Sequence, residues 1–329
     1  MTLGPATTGA DATPAVEEMP AAADGKVIEG RSLGRIAWTR LKRDRIALAG
    51  GGTVVFLVLV AILAPVINKF LGHPVNEYHQ DKIDPNLGGI PPVGTWGGIS
   101  KDFLLGVQPV TGRDLFSQII YGAQTSLLIA LSATLLAVVI GIVVGITAGF
   151  FGGWIDSLFS RFMDLILAFP LVLFAIALIS VLPPTKGFRM AVMIFIIGGF
   201  SWPYIGRIVR GQALSLRERE FVEAARSTGA GSFRIIFREL LPNLAAPILV
   251  YTTLIIPTNI LFEAALSFLG VGVPPPTPSW GRLLSDAVSY YEYDPTYMVV
   301  PGMAIFITVL AFNLFGDGLR DALDPKSNR

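Results

Sequence analysis

Six apolar stretches, at residues 47–67, 127–149, 165–182, 190–206, 244–262 and 296–316, constrain this chain more than any other feature. A helix needs about 20 residues to cross about 30 Å of hydrocarbon, and the stretches approach that length, with the third and fourth at the short end. Backbone in lipid must pair its own N–H and C=O groups, so helices are the expected form. An outer-membrane barrel is excluded, because its strands would alternate apolar and polar residues whereas these runs are continuous. Composition agrees: 52% of the 329 residues are hydrophobic and 15% are charged, with a mean hydropathy of +0.62. A water-soluble domain of this length would need more charge to cover its surface. The expected fold class is an all-α membrane protein with six transmembrane helices.

Several chemistries are excluded. There is no cysteine, hence no disulfide framework, thiol nucleophile or cysteine metal site. His73 and His79 are too few for a histidine metal site and lie in one loop, which gives no credible Ser/His/Asp set. No G-x-x-x-x-G-K-[ST] stretch occurs, so the chain cannot cradle ATP phosphates itself. It is expected to be no enzyme alone and to bind no cofactor. A net charge of +1 carries no sign of a nucleic-acid partner.

Residues 1–30 lack an apolar core of the signal-peptide kind and read as a disordered cytoplasmic tail. Residues 31–46 interleave Arg31, Arg35, Arg40, Lys42, Arg43 and Arg45 with Leu33, Ile36, Trp38 and Leu41, the pattern of a basic amphipathic helix on the cytoplasmic membrane surface. The first span, 47–67, leads to an extracytoplasmic loop at 68–126. A core at 127–318 then holds five spans and an inside loop at 207–243, followed by a cytoplasmic tail at 319–329. With the N-terminus inside, 18 of the 25 Lys and Arg residues fall on the inner side. That asymmetry predicts a multi-pass protein with both termini in the cytoplasm. Long loops are unusual between spans, so 68–126, 207–243 and an outer segment at 263–295 are where function is expected.

The inside loop has a readable design. Glu223, Ala224 and Ala225 favour helix. Gly229 can take the left-handed conformation that ends a helix, and Ser232 can cap the next one. Phe233, Ile236, Phe237, Leu240 and Leu241 fall on one helical stripe opposite Arg234, Arg238 and Glu239. Pro242 is expected to break the helix before the fifth span. A short helix, a sharp turn and an amphipathic helix suit docking into a partner's groove.

This segment resembles the EAA signature of ABC importer permeases, with Glu223, Ala224, Ala225, Gly229, Leu241 and Pro242 at the matching positions. Other stretches are similar to the C-type subunit of the dipeptide and oligopeptide branch, which also includes nickel and glutathione importers. They are Leu105 to Leu127, Gly149 to Asp156, Asp164 to Pro170, Glu263 to Gly272 and Pro275 to Gly281. The likeness covers about residues 31–325. It departs at Gln108-Pro109-Val110, where the family usually has an acidic, Gly-containing stretch, and at Gln118 and Gln124, where Arg is common. These departures bear on the substrate subclass.

The resemblance implies a type I ABC importer permease architecture with a cytoplasmic coupling helix, in a bacterial plasma (inner) membrane. It implies a peptide substrate, a second, B-type permease, two cytoplasmic ATPase domains carrying ATP and Mg, and an extracytoplasmic substrate-binding protein. ATPase coupling would fall to Glu223, Ala224, Ala225, Gly229, Ser232, Leu241 and Pro242. Import of nickel, glutathione or another small solute is the alternative within the class. A secondary transporter is the alternative outside it, although the spans are nearly charge-free and no repeat is evident. A membrane scaffold would need no docking loop.

Four features remain. Glu263 lies near the outer end of the fifth span, where an ionisable group is a pathway or gate candidate; the bland reading has it reach the interface and bond a neighbouring backbone. Trp280, with Pro274, Pro275, Pro276 and Pro278, forms a stiff outer segment: an interface anchor, a binding-protein surface or gate, or an element dipping into the cavity. Arg161 and Asp164 are placed to pair on one helical face. Gly141, Gly145 and Gly149 form a small-residue ridge for close helix packing.

Overall fold

The computed structural model describes residues 38–323, apart from 93–95 and 184. The expected tail at 1–30, the start of the basic segment at 31–37 and the last residues at 324–329 lie outside the described residues. Regular structure among the described residues is helical, with two isolated β-bridges in the loop before the second span.

The chain runs through α1 (Arg45–Ile62), α2 (Ala64–Leu71), α3 (Leu115–Phe151), α4 (Gly153–Ala168), α5 (Leu171–Val181) and α6 (Lys186–Leu216). It continues through α7 (Glu220–Ser227), α8 (Ser232–Ile235), a π turn (Ile236–Leu240), α9 (Leu241–Phe268), α10 (Trp280–Ala287) and α11 (Pro295–Leu323). Five rods are long and apolar enough to span a membrane: α1, α3, α6, α8 joined to α9, and α11.

The third expected span is different. Residues 165–182 are divided between α4 and α5, which meet at a 76° bend. Pro170 lacks an N–H and forces Phe169 into an extended conformation, so no straight helix can pass through. Among the described residues the candidate spans number six when this bent pair counts as one.

Helix boundaries also move. α3 starts at Leu115, capped by the Asp114 carboxylate, which accepts from the Phe116 N–H. The sequence hides this first part because polar residues interrupt its buried face: Ser117, Gln118 and Ser126 are inside, and Gln118 donates to the Val75 carbonyl at 2.5 Å. In the basic segment, helix is present at 38–41 but stops before Asp44, which caps α1 through the Ile46 and Ala47 N–H groups. Arg45 therefore opens the first span and does not close the amphipathic helix. α11 runs on to Leu323, past residue 318.

The α3–α6 pair is the spine. A Cβ on Gly145 would sit 2.6 Å from the Gly206 carbonyl oxygen, and one on Gly149 would sit 2.7 Å from that of Arg210. The ridge thus packs two helices of this chain against each other. α9 joins them through a buried relay: Ser201 donates to Asn259, and Asn259 donates to Thr134, each at 2.8 Å. Asn259→Leu is expected to cost about 1 kcal/mol, the usual scale for such bonds between membrane helices. The check is a lower melting temperature for the detergent-purified protein at unchanged membrane yield.

Candidate functional site

α7 has one fully buried side chain. Val222 is fully buried among Phe150 of α3, Val209 and Ala213 of α6, and Ile235, Leu240 and Leu244 of the following rod. This anchor fastens α7 across one end of three spans. Glu220 and Glu223 occupy its first turn, where carboxylates favour the helix dipole. Glu223 and Ala224 are exposed, whereas Ala225 is half-buried and packs on the core below.

The end of α7 is a Schellman turn. The Gly229 N–H donates to the Arg226 carbonyl at 2.9 Å, and the Ala230 N–H donates to that of Ala225 at 3.0 Å. Gly229 adopts a φ of 81°, the left-handed conformation anticipated for it. Thr228 closes the turn by donating to the Ala225 carbonyl at 2.9 Å. Glu223, Ala224 and Gly229 thus present a small, exposed surface that a partner can approach closely.

The return segment departs from its sequence pattern at three points. First, the cap of α8 is Gly231, without a side-chain hydrogen bond, so Ser232 is its first residue and not its cap. Second, Pro242 does not break the chain's path, because Ser232–Phe268 is one 37-residue rod. A proline ring would clash with the Arg238 carbonyl in a regular helix. The π turn just before it, closed by the Leu241 N–H on the Ile236 carbonyl, makes room. Third, that extra residue splits the expected stripe. Ile235 and Leu240 turn inward, while Phe233 and Phe237 face outward with rings 4.4 Å apart. Leu241 is half-buried and Pro242 exposed.

Neighbouring polar contacts tie α4 to α6. Arg210 holds both carboxylate oxygens of Asp156, and Arg207 pairs with Asp164 at 2.6 Å. Asp164 therefore pairs between helices and not with Arg161. Arg217 donates to the Gly149 carbonyl at 3.3 Å, joining the ends of α3 and α6 beside α7. Sequence spacing reveals helix faces but not partners on other helices, so neither these pairs nor the Val222 anchor shows in the sequence.

At the opposite end of the α8–α9 rod, Glu263 is fully buried and does not reach the interface. Its Oε1 accepts from the Ser267 hydroxyl at 2.8 Å, and the hydroxyls of Ser126 and Ser279 lie beside it. Trp280 is 1% exposed, which rules out a surface anchor. Its indole donates to the Ile119 carbonyl at 3.0 Å and its backbone N–H to Ser126 at 3.2 Å. α10 enters the bundle, packed on α9 and α11 and touching α3 through Trp280. Gly122 gives the indole room, and Gly281 lies too close to the Ala264 carbonyl to carry a side chain. Pro275 and Pro276 stay exposed.

Residues 141–329 match the family described as binding-protein-dependent transport system inner membrane component, and residues 32–88 match the N-terminal TM domain of oligopeptide transport permease C. The chain is 43% identical over 289 residues to the glutathione transport system permease protein GsiD of Shigella flexneri, covering 88% of this chain and 89% of that protein. It is 40% identical over 292 residues to the dipeptide transport system permease protein DppC of Alkalihalophilus pseudofirmus, covering 89% and 90% respectively. Among solved structures, a chain of the inward-facing MetNI methionine ABC transporter superposes with a TM-score of 0.52 at 20% identity, over 64% of this chain and 98% of that one. That likeness speaks to the fold.

Proposed function

This chain belongs to the family of binding-protein-dependent transport system inner membrane components, and from that premise we propose how it works as a permease subunit of an ATP-driven peptide importer. It forms half of the translocation pathway, and a second, B-type permease forms the other half. Two cytoplasmic ATPase domains supply energy through their own ATP and Mg. An extracytoplasmic protein delivers a dipeptide or short oligopeptide. Relatives named for dipeptide and for glutathione transport support a short peptide as cargo.

The observation that carries this reading is the α7 turn. It is exposed at the tip, anchored by Val222 at the base, and continuous with one rod. Closure of an ATPase groove on Glu223, Ala224 and Gly229 would push Val222 against α3 and α6. It would also push through α8 along a rod of about 55 Å at 1.5 Å per residue. Glu263 lies in the last turns of that rod, which ends at Phe268, and α10 is seated beside it. In this reading Glu263 and Trp280 act on the outer end of the pathway by holding α10, and α7 lies in the cytoplasm with both termini.

Two measurements test the proposal. Single cysteines at exposed positions, Asn86→Cys and Ser215→Cys, are expected to react with impermeant reagents from opposite faces of intact cells. Labelling of both from outside would refute the topology. Proteoliposomes holding the full complex are expected to take up labelled dipeptide only with ATP inside. Uptake by this chain alone, driven by a proton or sodium gradient, would establish a secondary transporter instead.

A further inference from the structure

Away from the α7 turn, a trough runs between α1 and α3 and opens into a pocket under the proline segment. The trough has a volume of about 360 Å³ and is walled by Val58 and Ile62 of α1, Leu128 and Leu131 of α3, and Met190 of α6. The pocket, about 380 Å³, is walled by Asn76, Tyr121, Thr277 and the prolines around it. Gln124 and Thr125 line both, so the two form one groove, apolar at one end and polar at the other. Among the described residues, no lining side chain of either part is charged.

The walls are membrane spans. The apolar trough therefore opens at the depth of acyl chains, and the pocket, next to the loops, at the depth of headgroups. We propose that this groove is a binding site for one membrane phospholipid with a net-neutral head. One acyl chain lies between α1 and α3, and the head rests against Gln124. Three features select this occupant. Beyond Gln124 and Thr125 the trough is lined by hydrocarbon and the Met190 thioether, which suits an acyl chain. The amides of Gln124 and Asn76 and the Tyr121 hydroxyl offer donors to phosphate and ester oxygens. The described lining holds no cation that would favour an anionic head. A lipid held here fills the space between α1 and α3 and braces the first span against the spine.

The test uses the purified full complex, treated with phosphatidylcholine that carries a photoreactive group in its acyl chain, followed by mass-spectrometric mapping. Adducts are expected to concentrate on Val58, Ile62, Leu128 and Leu131, well above exposed apolar positions such as Leu135. Val58→Trp, which fills the trough, is expected to cut trough adducts about tenfold, the effect of losing about 1.4 kcal/mol of affinity. Leu135→Trp is expected to leave them unchanged. Gln124→Arg is expected to shift competition toward phosphatidylglycerol, because it adds the missing cation. Three results would overturn the site: uniform adducts around the bundle, which mean surface lipid only; unchanged trough adducts in Val58→Trp; or adducts that appear only without the second permease, which mean that a protein helix fills the groove. Displacement by free dipeptide would assign the groove to cargo.

Discussion

Gly229→Val is expected to lower both substrate-stimulated ATP hydrolysis and peptide uptake by at least about tenfold, equivalent to about 1.4 kcal/mol of lost coupling. Gly229 has a φ of 81°, and a Cβ there would meet nothing within 4 Å. The effect is therefore conformational and not a clash. A β-branched residue at positive φ is strained by about 1–3 kcal/mol, and relief requires giving up the Schellman bonds to Arg226 and Ala225. The exposed tip would move while Val222 stayed in place. Insertion and assembly with the second permease should remain normal, as quantitative blotting of purified complex would show. Gly229→Asn should retain most activity, because asparagine tolerates the left-handed region. Wild-type rates in Gly229→Val would make the loop a mere connector.

Trp280→Ala is expected to be the most destabilising single truncation at the opposite end, by about 3–5 kcal/mol. The indole is 1% exposed, and its loss leaves both a cavity and an unpaired Ile119 carbonyl. α10 should then leave its seat on α9 and α11, so the segment at 269–294 should become sensitive to added protease. Trp280→Phe keeps most of the packing and loses the N–H, at about 1 kcal/mol. Equal melting temperatures for Trp280→Ala and wild type would remove α10 from the bundle.

The membrane class was legible because lipid leaves a long mark in sequence: runs such as 127–149 and 296–316 are too apolar and too long for other uses. The α7 turn was legible for a local reason, since only glycine takes φ near 81° without strain and it stands just past a helix-forming run. What stayed hidden depended on neighbours. The stripe from Phe233 to Leu241 assumed 3.6 residues per turn, and the π turn ahead of Pro242 changed that period. The bend at Pro170 lay inside a continuous apolar run, where hydropathy cannot register it. Asp164 had a suitable partner three residues away and took Arg207 from another helix instead. Glu263 and Trp280 stand out in the sequence as chemically unusual residues. Their burial between helices follows from the close approach that Gly122 and Gly281 allow, which no linear pattern displays.

The proposed coupling depends on contact between α7 and an ATPase, and a chain without cysteine permits a direct measurement. A photoreactive maleimide on Ala224→Cys, at the exposed tip of α7, is placed in the assembled, transport-competent complex and illuminated. The predicted product is a crosslink to the ATPase subunit, with a yield that changes when nucleotide is added. The same reagent on Pro276→Cys, exposed at the far end, should give none. A complex that still imports peptide while Ala224→Cys crosslinks only to lipid, or to the extracytoplasmic binding protein, would contradict the assignment of this turn as the coupling contact.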